Sequence, residues 1–178
     1  ESLANTTLYD AYQRTRSTSR HDVLPAVRAG VSGQAGPVHL TLSAGHTTRV
    51  AEANERYYAL QRMGTDWVGN PDLSPVRHTG LDLAATWTRG AASVAAQAYV
   101  SRIADYITVY DQARVQMVPG VMNTMARSYA NVDASLRGFE LSASAPVRPG
   151  LALSGDLSYV RGSQDGDAAR GIAAAPLA

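Results

Sequence analysis

Apolar and polar residues alternate with period two along most of this chain. Val38, Leu40, Leu42 and Ala44 alternate with His39, Thr41, Ser43 and Gly45. Leu81, Leu83, Ala85 and Trp87 do the same against Asp82, Ala84 and Thr86. The pattern returns at Val94–Val100, at Phe139–Ala145 and at Leu151–Tyr159, with weaker versions around Thr7–Gln13 and Leu24–Ser32. Period two belongs to an extended strand with one apolar face. The pattern therefore predicts about seven strands, and no stretch carries a helical period long enough to predict a helix.

The connections fall into two lengths. Gly33–Pro37, Arg89–Ala91 and Val147–Gly150 are short. Arg14–Val23, Ala51–Pro75, Asp111–Met125 and the part from Arg161 onward are long. Short and long alternate strictly. Consecutive antiparallel strands then have every tight turn at one end and every long loop at the other, the layout of an outer-membrane barrel.

Composition sharpens this picture. Apolar residues make up 45% of the 178, but much of that is Ala, and there is one Phe against nine Tyr. A water-soluble sandwich of this size fills its interior with larger side chains. Tyr suits a boundary with one wet and one apolar side. No run reaches the ~20 apolar residues of a membrane helix, whereas a barrel strand needs only about 9–11. A formal net charge of +1 without a basic block argues against a nucleic-acid partner, and the absence of Cys excludes thiol chemistry and disulfides. No nucleophile elbow, His-Glu-x-x-His or phosphate loop is present, so the chain reads as no enzyme. The expected fold is all-β: an antiparallel up-and-down transmembrane β-barrel segment. Its apolar faces point to lipid and its small or charged residues, Asp82, Gln97, Glu140 and Asp156, to the lumen. The chain begins in mid-pattern at Glu1 and stops at Ala178 without a closing strand, which predicts an incomplete barrel.

Several stretches resemble one family. Gly69-Asn-Pro-Asp-Leu-Ser-Pro75, with Asn70, Pro71, Leu73 and Pro75 as its frame, is similar to the N-P-x-L-K-P-E signature of TonB-dependent outer-membrane receptors. Thr48–Tyr57 resembles the family's S-x-R-x-P-x-x-x-E-R-Y stretch, and Ser128–Glu140 its N-x-x-x-A-x-x-x-G-x-E strand. Ser74 and Val76 replace the usual Lys and Glu, and Ala51 a common Pro. The resemblance implies that residues 1–178 are part of a barrel of about 22 strands, without its plug domain and closing strands. It implies a place in the bacterial outer membrane and uptake of a metal or metal complex as cargo, with no resident cofactor. The implied partners are the TonB complex acting through the plug, the cargo, and outer-membrane lipid and lipopolysaccharide. Pro71 and Pro75 restrict the backbone before a strand, so the motif reads as an elbow that stops the loop.

Cargo chemistry is left with alternatives. Met63, Met117, Met122 and Met125 all fall in long loops, and thioether sulfur suits Cu(I). The Asp105–Asp133 region resembles the copper-receptor subgroup of the family. Loop Met also fills irregular packing, and a ferric-siderophore or haem receptor is the alternative. A different class, a passive porin-like barrel or a soluble β-sandwich adhesin, is the further rival. His39 is expected on the lumen side, and His46 and His78 near the outer rim, where a metal site would need them to converge. Arg14, Arg16, Arg20, Arg49, Arg56 and Arg62 are placed to meet an anionic cargo, lipopolysaccharide phosphate or water. Tyr57, Tyr58 and Trp67 are expected as interface-belt residues or stacking surfaces for an aromatic cargo.

Overall fold

The computed structural model describes residues 6–61, 65–115 and 125–177. Strands β1 (Val27–Ala35), β2 (Val38–Arg49), β5 (Val76–Arg89), β6 (Ala92–Ala113), β7 (Met125–Arg148) and β8 (Leu151–Gln164) lie side by side in that order. Each pairs antiparallel with the next. Three short strands, β3 (Ala59–Leu60), β4 (Asp66–Val68) and β9 (Ala175–Pro176), join the same sheet at the long-loop end. The helices α1 (Thr6–Gln13) and α2 (Ala53–Tyr57) lie in the long connections.

The hairpins β1–β2, β5–β6 and β7–β8 turn within a few residues, each through a left-handed glycine, Gly36, Gly90 and Gly150. A two-residue hairpin needs positive φ to match strand twist, and glycine adopts it without a Cβ clash. The long connections all leave from the other end, as the spacing predicts.

The register puts the alternating residues on two continuous faces. One row across the six long strands reads Val31, Leu42, Leu83, Ala98, Phe139 and Tyr159; the next toward the tight turns reads Gly33, Leu40, Ala85, Ala96, Leu141 and Leu157. The opposite face carries rows such as Ser32, Thr41, Ala84, Gln97, Glu140 and Ser158. The apolar face has no second layer: Leu83 is 50% exposed, Leu157 57% and Leu153 70%. A soluble sandwich would bury these residues, so that rival fails. An uncovered apolar face is stable only against lipid.

Buried clusters gather instead at the long-loop end. Leu8, Tyr9, Ala59 and Val68 form one; Ala51, Leu73, Val76 and Ile107 a second; Ala130, Val132 and Ile172 a third. β6 and β7, at 22 and 24 residues, are about twice the length needed to span a bilayer. Their excess stands above the apolar band and carries the second and third clusters. A bulge between Ile103 and Tyr106 marks where that extension starts. Asp105 sits in it with φ of 59°, a left-handed conformation that Asp tolerates better than most residues. Its carbonyl accepts Asn131 Nδ2 at 2.7 Å and its amide donates to Asp133 Oδ1 at 3.3 Å.

Two sequence expectations are corrected here. Thr7–Gln13 is helix α1, and six long strands replace the expected seven. Leu8, Tyr9 and Tyr12 are one helical face as well as members of an alternating string. Burial of Leu8 and Tyr9 against Ala59 and Val68 chooses the helix. α2 also escaped the periodicity, because five residues are too few to show one. It is set instead by a capping box, in which the Glu52 and Glu55 side chains each take the other's backbone amide.

Candidate functional site

The loop platform above the sheet is built on the Gly69–Pro75 stretch. Gly69 donates its amide to Tyr58 O at 2.6 Å and Asn70 donates its own to Glu55 O at 2.8 Å, which pins the stretch to the end of α2. A Cβ on Gly69 would lie 2.5 Å from the Arg56 carbonyl carbon, so only glycine fits. Asn70 Oδ1 accepts the Asp72 amide at 3.0 Å across Pro71, and Asn70 Nδ2 donates to Tyr129 O on β7 at 2.9 Å. Leu73 is buried against Ala51, Val76 and Ile107. Asn131 Oδ1 then accepts the Ser74 amide at 2.8 Å, while its Nδ2 also donates to Ser74 O at 3.2 Å. The elbow is therefore fastened to α2 on one side and to the β7 extension on the other.

Two ion pairs hold the platform from beneath. Arg114, just past β6, donates to both carboxylate oxygens of Asp66, at 2.9 and 3.1 Å, with the two side chains 5% and 1% exposed. Tyr12 of α1 donates to the same carboxylate at 2.9 Å. Arg56 Nη1 meets Asp22 Oδ2 at 2.6 Å, and its Nη2 donates to Leu73 O at 3.0 Å. The guanidinium beside Asp22 holds that carboxyl below its ordinary pKa. Burial pushes the Tyr9 and Tyr12 phenols up to about 12, helped at Tyr12 by its bond to Asp66. Both rings stay neutral donors and supply no tyrosinate ligand.

These raised values predict a pH response. A phenol whose pKa is raised by folding stabilises the platform fully below pH about 10, and that contribution is lost as pH climbs toward 12. Spectrophotometric titration of tyrosinate in the full-length receptor should show a late-titrating class that loses two phenols in Tyr9→Phe/Tyr12→Phe. An unchanged titration in that variant would contradict the assignment.

Met125 opens β7 and is partly exposed beside the platform. Met63, Met117, Met122 and Arg62 lie outside the described residues. His39 is on the polar face with Thr41, as expected. His46 and His78 stand on opposite faces: His46 bonds Thr79 on the apolar side, while His78 lies beside Gly80 and Ser101 on the polar side. They do not converge, and no metal-binding group of three His, Cys, Asp or Glu occurs among the described residues. Arg56 is neither wet nor cargo-facing, being 3% exposed. Arg16, Arg20 and Arg49 pair with Asp10, Asp22 and Glu55. Trp67 is no belt residue. It sits in the platform with the Arg127 guanidinium 5.4 Å over its ring and Tyr129 6.4 Å away.

Sequence reasoning passed over Asp66, Arg114 and Asn131, although all three hold the loops in place. Asp66 and Arg114 are 48 residues apart, in two loops that read as polar and solvated, so no local pattern links them.

A one-layer antiparallel sheet, greasy on one side and polar on the other, with tight turns at one end and an ordered platform at the other, is the wall of a transmembrane β-barrel. The family model described as the β-barrel of TonB-dependent receptor-like proteins matches residues 5–176, and the chain belongs to that family, whose members are transport receptors of the Gram-negative outer membrane. The crystal structure of the siderophore receptor PirA from Pseudomonas aeruginosa is similar, with a TM-score of 0.65 at 15% identity over 78% of this chain and 30% of that one. The copper transporter OprC is similar with a TM-score of 0.64 at 22% identity, over 79% of this chain and 20% of that one. Both are likenesses of fold, and the chain spans less than a third of either protein. No curated protein sequence matches it.

Proposed function

We propose that this chain supplies wall and outer loops to a receptor that takes up copper across the outer membrane, driven through TonB. The observation that carries the cargo reading is the set of thioether side chains Met117 and Met122, between β6 and β7 in the sequence, and Met125 at the start of β7. Thioether sulfur is a soft donor that selects Cu(I) over hard cations. The polar face beneath supports the same reading. Below its rim, this face of β1, β2 and β5 to β8 carries Asp82, Glu140 and Asp156 against a single arginine, Arg28, with Glu140 and Asp156 lining one pocket about 320 Å³ in volume. Such a wall attracts cations and repels an anionic chelate. The likeness in fold to OprC is consistent with it.

The test is a Cu(I) competition titration on the full-length receptor with Met117→Leu, Met122→Leu and Met125→Leu combined. Leucine keeps volume and removes sulfur, so affinity should fall more than about a hundredfold. Unchanged copper affinity would end the thioether reading. Uptake of a ferric siderophore or haem by the native receptor, without copper uptake, would assign the cargo to that class instead. Uptake that persists in cells lacking TonB would mark a passive pore.

A further inference from the structure

Three long connections meet at one carboxylate. Asp66 lies in β4, within the connection from β2 to β5, and is fully buried. Tyr12 of α1, in the connection before β1, donates to its Oδ2 at 2.9 Å. Arg114, the first residue after β6, donates to both of its oxygens at 2.9 and 3.1 Å. The Tyr12 hydroxyl is used twice, because it also accepts the Val115 amide at 3.1 Å.

That second bond falls next to a cargo donor. Ala113 pairs with Met125 in the last rung of the β6–β7 ladder. Arg114 and Val115 are therefore the first residues to leave the sheet beside Met125. No strand partner fixes their backbone beyond that rung, and the Asp66 carboxylate and Tyr12 hydroxyl hold them instead. Met125 is 44% exposed, so burial does little to order its surroundings. The other bonds of α1 lead elsewhere. Tyr9 donates to Arg56 O at 3.2 Å and Gln13 to Gly69 O at 2.8 Å, which reach α2 and the elbow.

We infer that Tyr12 is a positioning residue for the cargo site: through Val115 it orders the chain beside Met125, and it thereby couples α1 to cargo binding. Donors that must be ordered as cargo arrives lose that entropy from their affinity. A chain already held by Tyr12 loses less. Such coupling is reciprocal, so cargo must tighten the hold on α1 by the same factor. The coupling rests on the copper reading above, whereas the hold on Val115 does not depend on the cargo.

The test compares Tyr12→Phe with Tyr9→Phe in the full-length receptor. Tyr12→Phe removes the hydroxyl but keeps the ring, which packs on Leu8, Tyr9, Ala59 and Val68, and it leaves the Asp66–Arg114 pair in place. Tyr9→Phe removes a more deeply buried hydroxyl from the same helix, one bonded to Arg56 rather than Val115. Without copper, amide exchange of a peptide covering 109–115 should quicken in Tyr12→Phe and not in Tyr9→Phe. In a Cu(I) competition titration, Tyr12→Phe should weaken affinity about fivefold to tenfold, and Tyr9→Phe less than about twofold. Cu(I) should slow exchange across 6–14 in the native receptor and leave it unchanged in Tyr12→Phe. Heat-modifiable electrophoretic mobility checks that both variants are folded. Unchanged exchange at 109–115 in Tyr12→Phe would overturn the positioning role whatever the cargo is. Equal loss of Cu(I) affinity in the two variants would make Tyr12 a packing residue alone and overturn it too. A native receptor that binds no Cu(I) would end the cargo reading and the coupling with it, while faster exchange at 109–115 would still uphold the hold on Val115.

Discussion

Replacing Asp66 with alanine is expected to release the loop platform at a cost of about 3–5 kcal/mol. Asp66 is fully buried and its carboxylate is shared by Arg114 and the Tyr12 hydroxyl. Removing it takes a bidentate carboxylate away from a guanidinium only 5% exposed. A buried charge stripped of its partner costs far more than an exposed pair ever contributes. Tyr12 would lose its acceptor too, and through it α1 would lose its hold on the chain at Val115, whose amide donates to the Tyr12 hydroxyl at 3.1 Å. Hydrogen–deuterium exchange of the full-length receptor is the measurement. Peptides covering 6–14 and 57–70 should exchange much faster in Asp66→Ala, while those covering 92–100 in the wall should not change. Asp66→Leu/Arg114→Met, which removes both charges at similar volume, should recover most of the protection. Native protection in the single variant would show that the pair does not hold the platform.

The second large effect is expected from Gly69→Ala, at about 3 kcal/mol. The added carbon would meet the Arg56 carbonyl carbon at 2.5 Å, and the Arg56 oxygen and Tyr57 amide nitrogen at 2.7 Å. All three are backbone atoms and cannot swing aside. Relief requires the stretch to lift off α2, which breaks the Gly69–Tyr58 and Asn70–Glu55 hydrogen bonds and draws Leu73 from its cluster. Faster exchange should therefore appear at 53–60 and 69–76, and cargo affinity should fall with the loss of loop order. A smaller effect than that of Pro71→Ala, which removes only backbone restriction, would contradict the close approach.

The elbow shows how far local sequence reaches. Asn70, Pro71 and Pro75 announce a turn that stops a loop, because proline restricts its own φ and the residue before it. The turn is there, closed by Asn70 over Asp72. What the elbow is fastened to was not legible. Tyr129 and Asn131 lie 59 and 57 residues away from their partners Asn70 and Ser74, and Asn131 reads locally as one more polar residue on a strand. The arginines fail as predictors for the same reason. Arg56 and Arg49 look alike in sequence, yet one is 3% exposed and the other carries a side chain 48% exposed.

The wall of this protein was determined by the order of its residues alone. Alternation names the strands, the turn residues name the hairpins, and alternating loop lengths name the two ends, because strand period and hairpin closure are local properties of the backbone. Two matters waited for the tertiary structure: the helix at Thr6–Gln13 and the burial of Asp66, Arg114 and Arg56. Each depends on which distant segments meet. An eight-residue amphipathic segment takes the form that its neighbours bury, and a charge is paired or left alone according to what folding brings within about 4 Å of it.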